Sequence, residues 1–499
     1  MDFKAFEKFA SQGNLIPVSR EMLADHETPV SVLSRFSDDE DVFLLESVEG
    51  GERFGRYSFI GVRPRNVFTV ENGEAYLTTD GTKKRVGDGI MALREVMRGV
   101  KAVEVPGLPP FFGGAVGCLG YETVNEFEKL PPPKTALTLP TSILLLVDDM
   151  IIFDNVRHTV KLVACVHTGD YSTLRDAYDA AQRRIDDIAE VLRRPAEIVT
   201  AAPVPAPVPK SNQTKEEFCA MVEKARAAIR AGEAIQIVLS QRFSAPAVSS
   251  PLQLYRALRL VNPSPYTFFF KHGDLALIGS SPETMVKLEN GVSSVRPIAG
   301  TRRRGSDPAS DRRLAEELLK DPKECAEHLM LVDLGRNDLG RVAAPGSVQV
   351  RRFMQVERYS HVMHLVSKVV AEIEDGRDAF DLFPAAFPAG TLTGAPKVRA
   401  METIAELEDE PRGPYGGAVG YFAFGGDMDF AICIRTAAVE HGRMTVRAGA
   451  GVVYDSVPEN EYRETVNKAG AMARGVALLG SAKTLRAEIA ALRKEGGAQ

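Results

Sequence analysis

Residues 201–210, AAPVPAPVPK, set the first limit on what this chain can fold into. Alternating prolines lack the amide hydrogens that a helix or an inner strand needs and favour extended polyproline backbone, so no long regular element runs through them. They divide the 499 residues into a first part, 1–200, a linker, 201–210, and a second part, 211–499. Before the linker, strand-like runs at 41–46, 67–70 and 142–147 alternate with glycine-rich turns, and a charged helix is predicted over about 171–194. After it, amphipathic helices are predicted over 215–231, 252–261 and 311–320. Strands are predicted between them over 234–240, 266–270, 275–279, 431–439 and 444–448. The mixture predicts an α+β or mixed α/β protein whose chemistry is concentrated after the linker.

Charge and composition exclude several classes of function. A net charge of -6 gives nucleic acid no electrostatic footing. The longest apolar stretch, 143–153, is broken by Asp148 and Asp149 and falls short of the ~18 residues of a membrane helix. The first residues lack the basic and apolar regions of a signal peptide, so a cytoplasmic location is expected. Five cysteines without a Cys-x-x-Cys spacing argue against a disulfide framework and against a zinc site.

Two pairs of acids carry more information. Glu324 with Glu327, and Glu461 with Glu464, each have i, i+3 spacing in a segment that reads as helix, which places both carboxylates of a pair on one face. Asp321-Pro322-Lys323-Glu324 reads as an N-cap, a proline at the first helical position and a capping-box acid. Glu324 and Glu327 also share a stripe with Leu331 and Leu334, a face that turns apolar and should point inward. In the second helix Ser456-Val457-Pro458-Glu459 reads as another capping box, which leaves Glu461 and Glu464 free of capping. Lys468 follows them on the same stripe, ahead of Ala471, Met472 and Gly475. Such carboxylates can grip a hard divalent cation that in turn grips an anionic substrate. The plainer reading is a pair of solvated acidic faces.

Three further motifs have the same double character. Residues 390–397, GTLTGAPK, offer amides, hydroxyls and an ammonium to an anion, but they do not form a Walker loop and also read as a turn into a helix starting near Lys397. In residues 449–451, Gly-Ala-Gly, small side chains let a ligand carboxylate approach backbone amides. Cys118 sits in a Gly-Cys-Leu-Gly turn like that of a glutamine-hydrolysing nucleophile. That chemistry needs a histidine oriented by an acid. Of the eight histidines only His272 has an acid two residues on, Asp274, in a predicted hairpin turn, so Cys118 is expected to be buried structure.

The combination of residues 235–240 (IQIVLS), 279–283 (GSSPE), 297–301 (PIAGT), 324–338, 361–364 (HVMH), 390–397 and 461–468 resembles the chorismate-utilising enzymes, and among them the component I family of anthranilate synthases. The resemblance spans nearly the whole chain. It implies two packed antiparallel β-sheets with helices on the outside, the two parts of the chain forming one intertwined unit. It also implies that Glu324, Glu327, Glu461 and Glu464 hold Mg2+, which binds the ring carboxylate of chorismate. Gly300, Thr301, Tyr415, Arg435, Gly449, Ala450, Gly451 and Lys468 then match substrate-binding positions. Glu283 matches the acid that protonates the departing C4 hydroxyl, His364 a histidine beside the reacting ring that the reaction needs for completion, and Thr391 stands in the catalytic loop. In the first part, Leu45, Glu46, Ser47, Arg56 and Tyr57, with Asn262, Pro263, Ser264, Pro265 and Tyr266 later, resemble the family's tryptophan feedback site. The chain itself contains no tryptophan, which suits a protein that works in making it.

Two positions separate the family's reactions. Relatives that add water carry a lysine base where this chain has Gln236; ammonia is already a nucleophile and needs none. Relatives that divert ammonia to C4 use a lysine where this chain has Ala299, which forms no adduct. The resemblance thus implies addition of ammonia at C2 of chorismate, loss of the C4 hydroxyl and elimination of pyruvate to anthranilate. The ammonia is expected from a separate glutamine amidotransferase subunit, and tryptophan is expected to inhibit. Two alternatives stay open: an enzyme that stops at 2-amino-2-deoxyisochorismate, and a catalytically silent sensor of chorismate or tryptophan.

Overall fold

Short apolar strands build two sheets that pack together through buried side chains such as Phe43 and Leu145. The computed structural model describes residues 1–36, 41–47, 55–196, 208–359 and 362–477, so that 201–207 of the proline-rich segment and His361 lie outside the described residues. Among the described residues each sheet has twelve strands, and every pairing between named strands is antiparallel. Strands from both sides of the proline-rich segment share each sheet. In one, Val42–Glu46 lies beside Tyr266–His272; in the other, Gly114–Leu119 lies beside Ala418–Ala423.

The space between the sheets is filled by Phe43, Phe268 and Leu277 from one and Val116, Leu145 and Val419 from the other. Ser142–Val147 is buried at all six positions, as expected of a strand covered on both faces. Helices close the outer faces. Leu174–Arg193 and Pro251–Val261 cover the first sheet with Ile185, Leu254 and Tyr255. Ala379–Ala386 and Pro322–Gly340 cover the second with Phe383 and Val332. No helix of the described residues is long and apolar enough to cross a membrane.

Most predicted elements stand within a few residues of their places: Lys215–Arg230, Pro251–Val261 and Pro308–Lys320 are helices, and Gln236–Pro246, Leu275–Ser281 and Arg443–Val452 are strands. The strand predicted over 431–439 is a correction. It is two strands, Met428–Ile432 and Thr436–Glu440, which belong to different sheets. Between them the chain crosses from one sheet to the other, and Arg435 takes a left-handed φ of 49° that a continuous strand cannot hold.

Candidate active site

The acidic faces of the two helices lie close enough for their charges to interact. Asp321 caps Pro322–Gly340 by accepting from the amides of Lys323 and Glu324, with Pro322 at the first helical position. Glu324 does not close a capping box: Arg302 donates to it at 3.2 Å and to Asp321 at 2.6 Å, an ionic partner outcompeting a local cap. Glu324 and Glu327 are half-buried, and the face turns inward at buried Leu331. Helix Pro458–Ala477 starts past Ser456, whose hydroxyl accepts from the Val453 amide at 3.0 Å rather than from the amide of Glu459.

Charge couples the two helices. Burial pushes Glu327 up, and Glu324 and Glu464 push it further; burial pushes Glu461 up, with Glu464 adding to it. Lys468 neutralises Glu464 at 2.5 Å and donates to the Gly449 carbonyl at 3.0 Å. Among the described residues no three His, Cys, Asp or Glu side chains form a ready-made metal cluster. The donor set is nonetheless four hard carboxylates around one cleft, two of them held by Arg302 and Lys468. Carboxylates of this kind are the ligand chemistry that a hard divalent cation takes.

Residues 449–451 lie inside the strand Arg443–Val452, paired on one side with Ser240, Leu239 and Val238. On the other side the neighbouring strand ends its pairing at Val446, so residues 449–451 have no strand partner there. Two side chains lie where a Cβ would otherwise be: the Tyr415 hydroxyl over Gly449 and the Gln236 amide over Gly451. Larger residues at either glycine would displace them. Burial pushes the Tyr415 phenol up to about 12, which keeps it a donor.

The opposite wall comes from the second sheet. Gly300 (φ 79°) interrupts the register between Ala299, opposite Leu365, and Thr301, opposite His364. A bulge of this kind re-aims side chains. His364 Nδ1 lies 3.0 Å from Thr301 Oγ and 3.2 Å from the Gly300 carbonyl, and burial lowers its pKa, so the ring stays neutral. With Nδ1–H assigned to the carbonyl, Nε2 keeps its lone pair. Glu283, at the end of Leu275–Ser281, is pushed up to about 7 by burial, against the pull of Thr391 and Arg435. Glu283, His364, Thr391, Arg435, Thr301, Gly300 and the four acids therefore join Gln236, Tyr415, Lys468 and residues 449–451 in one connected site.

Not every motif points into it. Lys397 turns away from the cleft, donating at 2.9 Å to both oxygens of Asp338 and at 3.2 Å to the Ala386 carbonyl. Its helix, Lys397–Leu407, starts where a turn reading of the loop places it. Cys118 is buried, and the facing Cys433 together with burial pushes its thiol far from thiolate formation. His272 pairs with Asp41 at 3.1 Å rather than with Asp274.

Several supporting residues escape a reading by motif. Glu408 is enclosed by Arg412 at 2.7 Å and Arg447 at 3.3 Å, and it also accepts from Ser240 Oγ at 2.9 Å. An arginine inside the otherwise apolar run of Arg443–Val452 is the signal that marks this network.

The ten residues compared with a feedback site gather in the first sheet. Leu45 pairs with Phe59 and Phe268, and Glu46 with Ser58 and Thr267, so Tyr57 and Tyr266 lie at the ends of the two strands that flank Val42–Glu46. Glu46 is buried and already engaged by Tyr255 and by Arg259 at 3.1 Å. Arg56 binds Asp154 at 2.9 Å and lies over the Tyr57 ring. Ser47 is half-buried at the strand end, and Asn262, Pro263, Ser264 and Pro265 form the turn into Tyr266–His272.

A family model described as chorismate binding enzyme matches residues 40–474. The chain is 44% identical over 490 residues to anthranilate synthase component 1 of Pseudomonas putida, covering 96% of this chain and 99% of that protein. It is 44% identical over 477 residues to anthranilate synthase component 1 of Acetivibrio thermocellus, covering 94% and 96%. The solved structure of anthranilate synthase component I from Streptococcus pneumoniae TIGR4 is similar at a TM-score of 0.77 and 37% identity, over 91% of this chain and 99% of that one. The menaquinone-specific isochorismate synthase of Escherichia coli has a TM-score of 0.71 at 18% identity, over 95% and 99%, a likeness of fold alone.

Proposed function

The chain belongs to the chorismate binding enzyme family, and from that premise we propose that it adds ammonia to C2 of chorismate, expels the C4 hydroxyl as water and eliminates pyruvate, yielding anthranilate. The observation that carries this reading is Glu283, a carboxyl held at about 7 beside Thr391 and Arg435. A hydroxyl leaves only as water, and an acid with that pKa has a proton to give near neutrality.

The other residues divide the remaining work. Gln236 lies over Gly451 as a neutral amide and suits a nucleophile that needs no deprotonation. Ala299 offers no amine to form an adduct with the ring. His364, neutral and with Nε2 free, can accept the C2 proton whose loss aromatises the ring as the C3–O bond to the enolpyruvyl group breaks. Arg435, Lys468, Tyr415 and the amides of 449–451 receive the substrate's carboxylates. Glu324, Glu327, Glu461 and Glu464 would hold Mg2+, which when bound supplies positive charge to one of those carboxylates.

Ammonia comes in this reading from a separate glutamine amidotransferase subunit. The relatives are named as a component 1, and the buried Cys118 thiol is unsuited to hydrolysing glutamine here. Tryptophan inhibits by binding among Leu45, Glu46, Ser47, Arg56, Tyr57 and residues 262–266. Glu283→Gln tests the central step: turnover with ammonium should fall by about 100-fold or more while chorismate still binds. Unchanged turnover would remove Glu283 from the chemistry.

A further inference from the structure

Residues 262–266 grip residues 280–284 at both ends, with Glu283 in between. At one end Ser280 is fully buried. Its hydroxyl donates to the Asn262 carbonyl, and its own carbonyl accepts from Ser264 Oγ at 3.4 Å. At the other end Tyr266 pairs with Ser281 in the ladder, and its hydroxyl lies 3.0 Å from Thr284 Oγ while donating to Asp429 at 2.8 Å.

The same short segment also holds Arg435. The Ser280 amide donates to the Arg435 carbonyl at 3.2 Å, and the Glu283 carbonyl accepts from the Ile432 amide at 3.0 Å. Arg435 keeps its left-handed φ of 49° inside this frame. A non-glycine residue persists there only where its surroundings hold it. Displacing 262–266 therefore strains the bonds that place both Glu283 and Arg435, because buried hydrogen-bonding groups do not give up partners without cost.

We propose that this clasp, with Ser280 as a positioning residue for Arg435 and Glu283, transmits occupancy of the 262–266 segment to the reacting centre. The inference rests on the reading that this segment takes up tryptophan and that Arg435 and Glu283 face chorismate. Neither Ser280 nor Thr284 is among the residues assigned to tryptophan or to chorismate. Each can therefore be changed to cut the connection and leave both sites in place.

The test pairs equilibrium binding of L-tryptophan, by calorimetry, with inhibition of ammonium-dependent turnover, in the full chain and in Ser280→Ala and Thr284→Val. Both variants should bind tryptophan within about threefold of the parent affinity, yet need about tenfold more for half-inhibition, the scale of a typical coupling between sites. Ser280→Ala should also raise KM for chorismate more than it lowers kcat, because Arg435 binds rather than reacts. Variants that bind tryptophan and are inhibited at the parent concentration overturn the clasp. A parent chain that takes up no tryptophan overturns the effector reading of 262–266 and the clasp with it.

Discussion

Thr391 Oγ donates to Glu283 Oε1 at 3.1 Å. This one bond ties the GTLTGAPK loop to the acid. The short helix Gly390–Thr393 presents Thr391 to Glu283, while Lys397 of the same motif is consumed by Asp338. The loop's chemistry lies in a hydroxyl that tunes a carboxyl.

Thr391→Val removes a pull that lowers the Glu283 pKa, so that pKa should move above about 7. A general acid is lost as pH rises through its pKa, so the alkaline limb of kcat/KM should move to higher pH. Loss of the positioning bond should also lower the plateau by about tenfold, given ~1.5 kcal/mol for a hydrogen bond to a charged group. Profiles from pH 6 to about 9.5 check this. A limb that stays in place or moves down argues against Glu283 as the titrating acid.

Glu327→Ala should abolish the Mg2+ dependence of turnover. Glu327 is raised by burial and by Glu324 and Glu464, and among the described residues it forms no salt bridge, unlike Glu324 with Arg302. Titration of Mg2+ into the chelator-treated parent should restore activity from near zero, with calorimetry reporting uptake. The variant should show neither effect at millimolar metal, and metal-stimulated turnover in it contradicts the assignment.

Glu408→Ala leaves Arg412 and Arg447, with side chains 2% and 5% exposed, buried without their carboxylate. Breaking a buried ionic network by removing one partner costs about 3–5 kcal/mol. The midpoint of urea unfolding should fall accordingly, and Glu408→Gln, which keeps an acceptor, should fall less. A variant as stable as the parent means the network carries little of the fold.

Local patterns were legible in the amino-acid sequence wherever neighbours in the chain decide the outcome. The amphipathic helix predicted over 215–231 is Lys215–Arg230, and the strand-like run at 142–147 is the inner strand Ser142–Val147. The stripe from Glu324 to Leu331 does turn inward. Partners distant in the chain were not legible. Arg302 takes Glu324 away from its expected cap, Asp338 takes Lys397, and Tyr255 and Arg259 take Glu46, which lies more than two hundred residues earlier. The run 431–439 is apolar except at Arg435 and Thr436, and its strand is cut at 433–435 because the chain changes sheets there, an event set by tertiary packing. That cut brings the Arg435 charge close to Glu283 and His364.

The most direct test of the account is incubation of the purified chain with chorismate, Mg2+ and ammonium at mildly alkaline pH, following anthranilate fluorescence and pyruvate together. The account predicts both, in equal amounts, with no glutamine and no second subunit present. Loss of chorismate without pyruvate or fluorescence would contradict it and leave an enzyme that stops at the aminated ring.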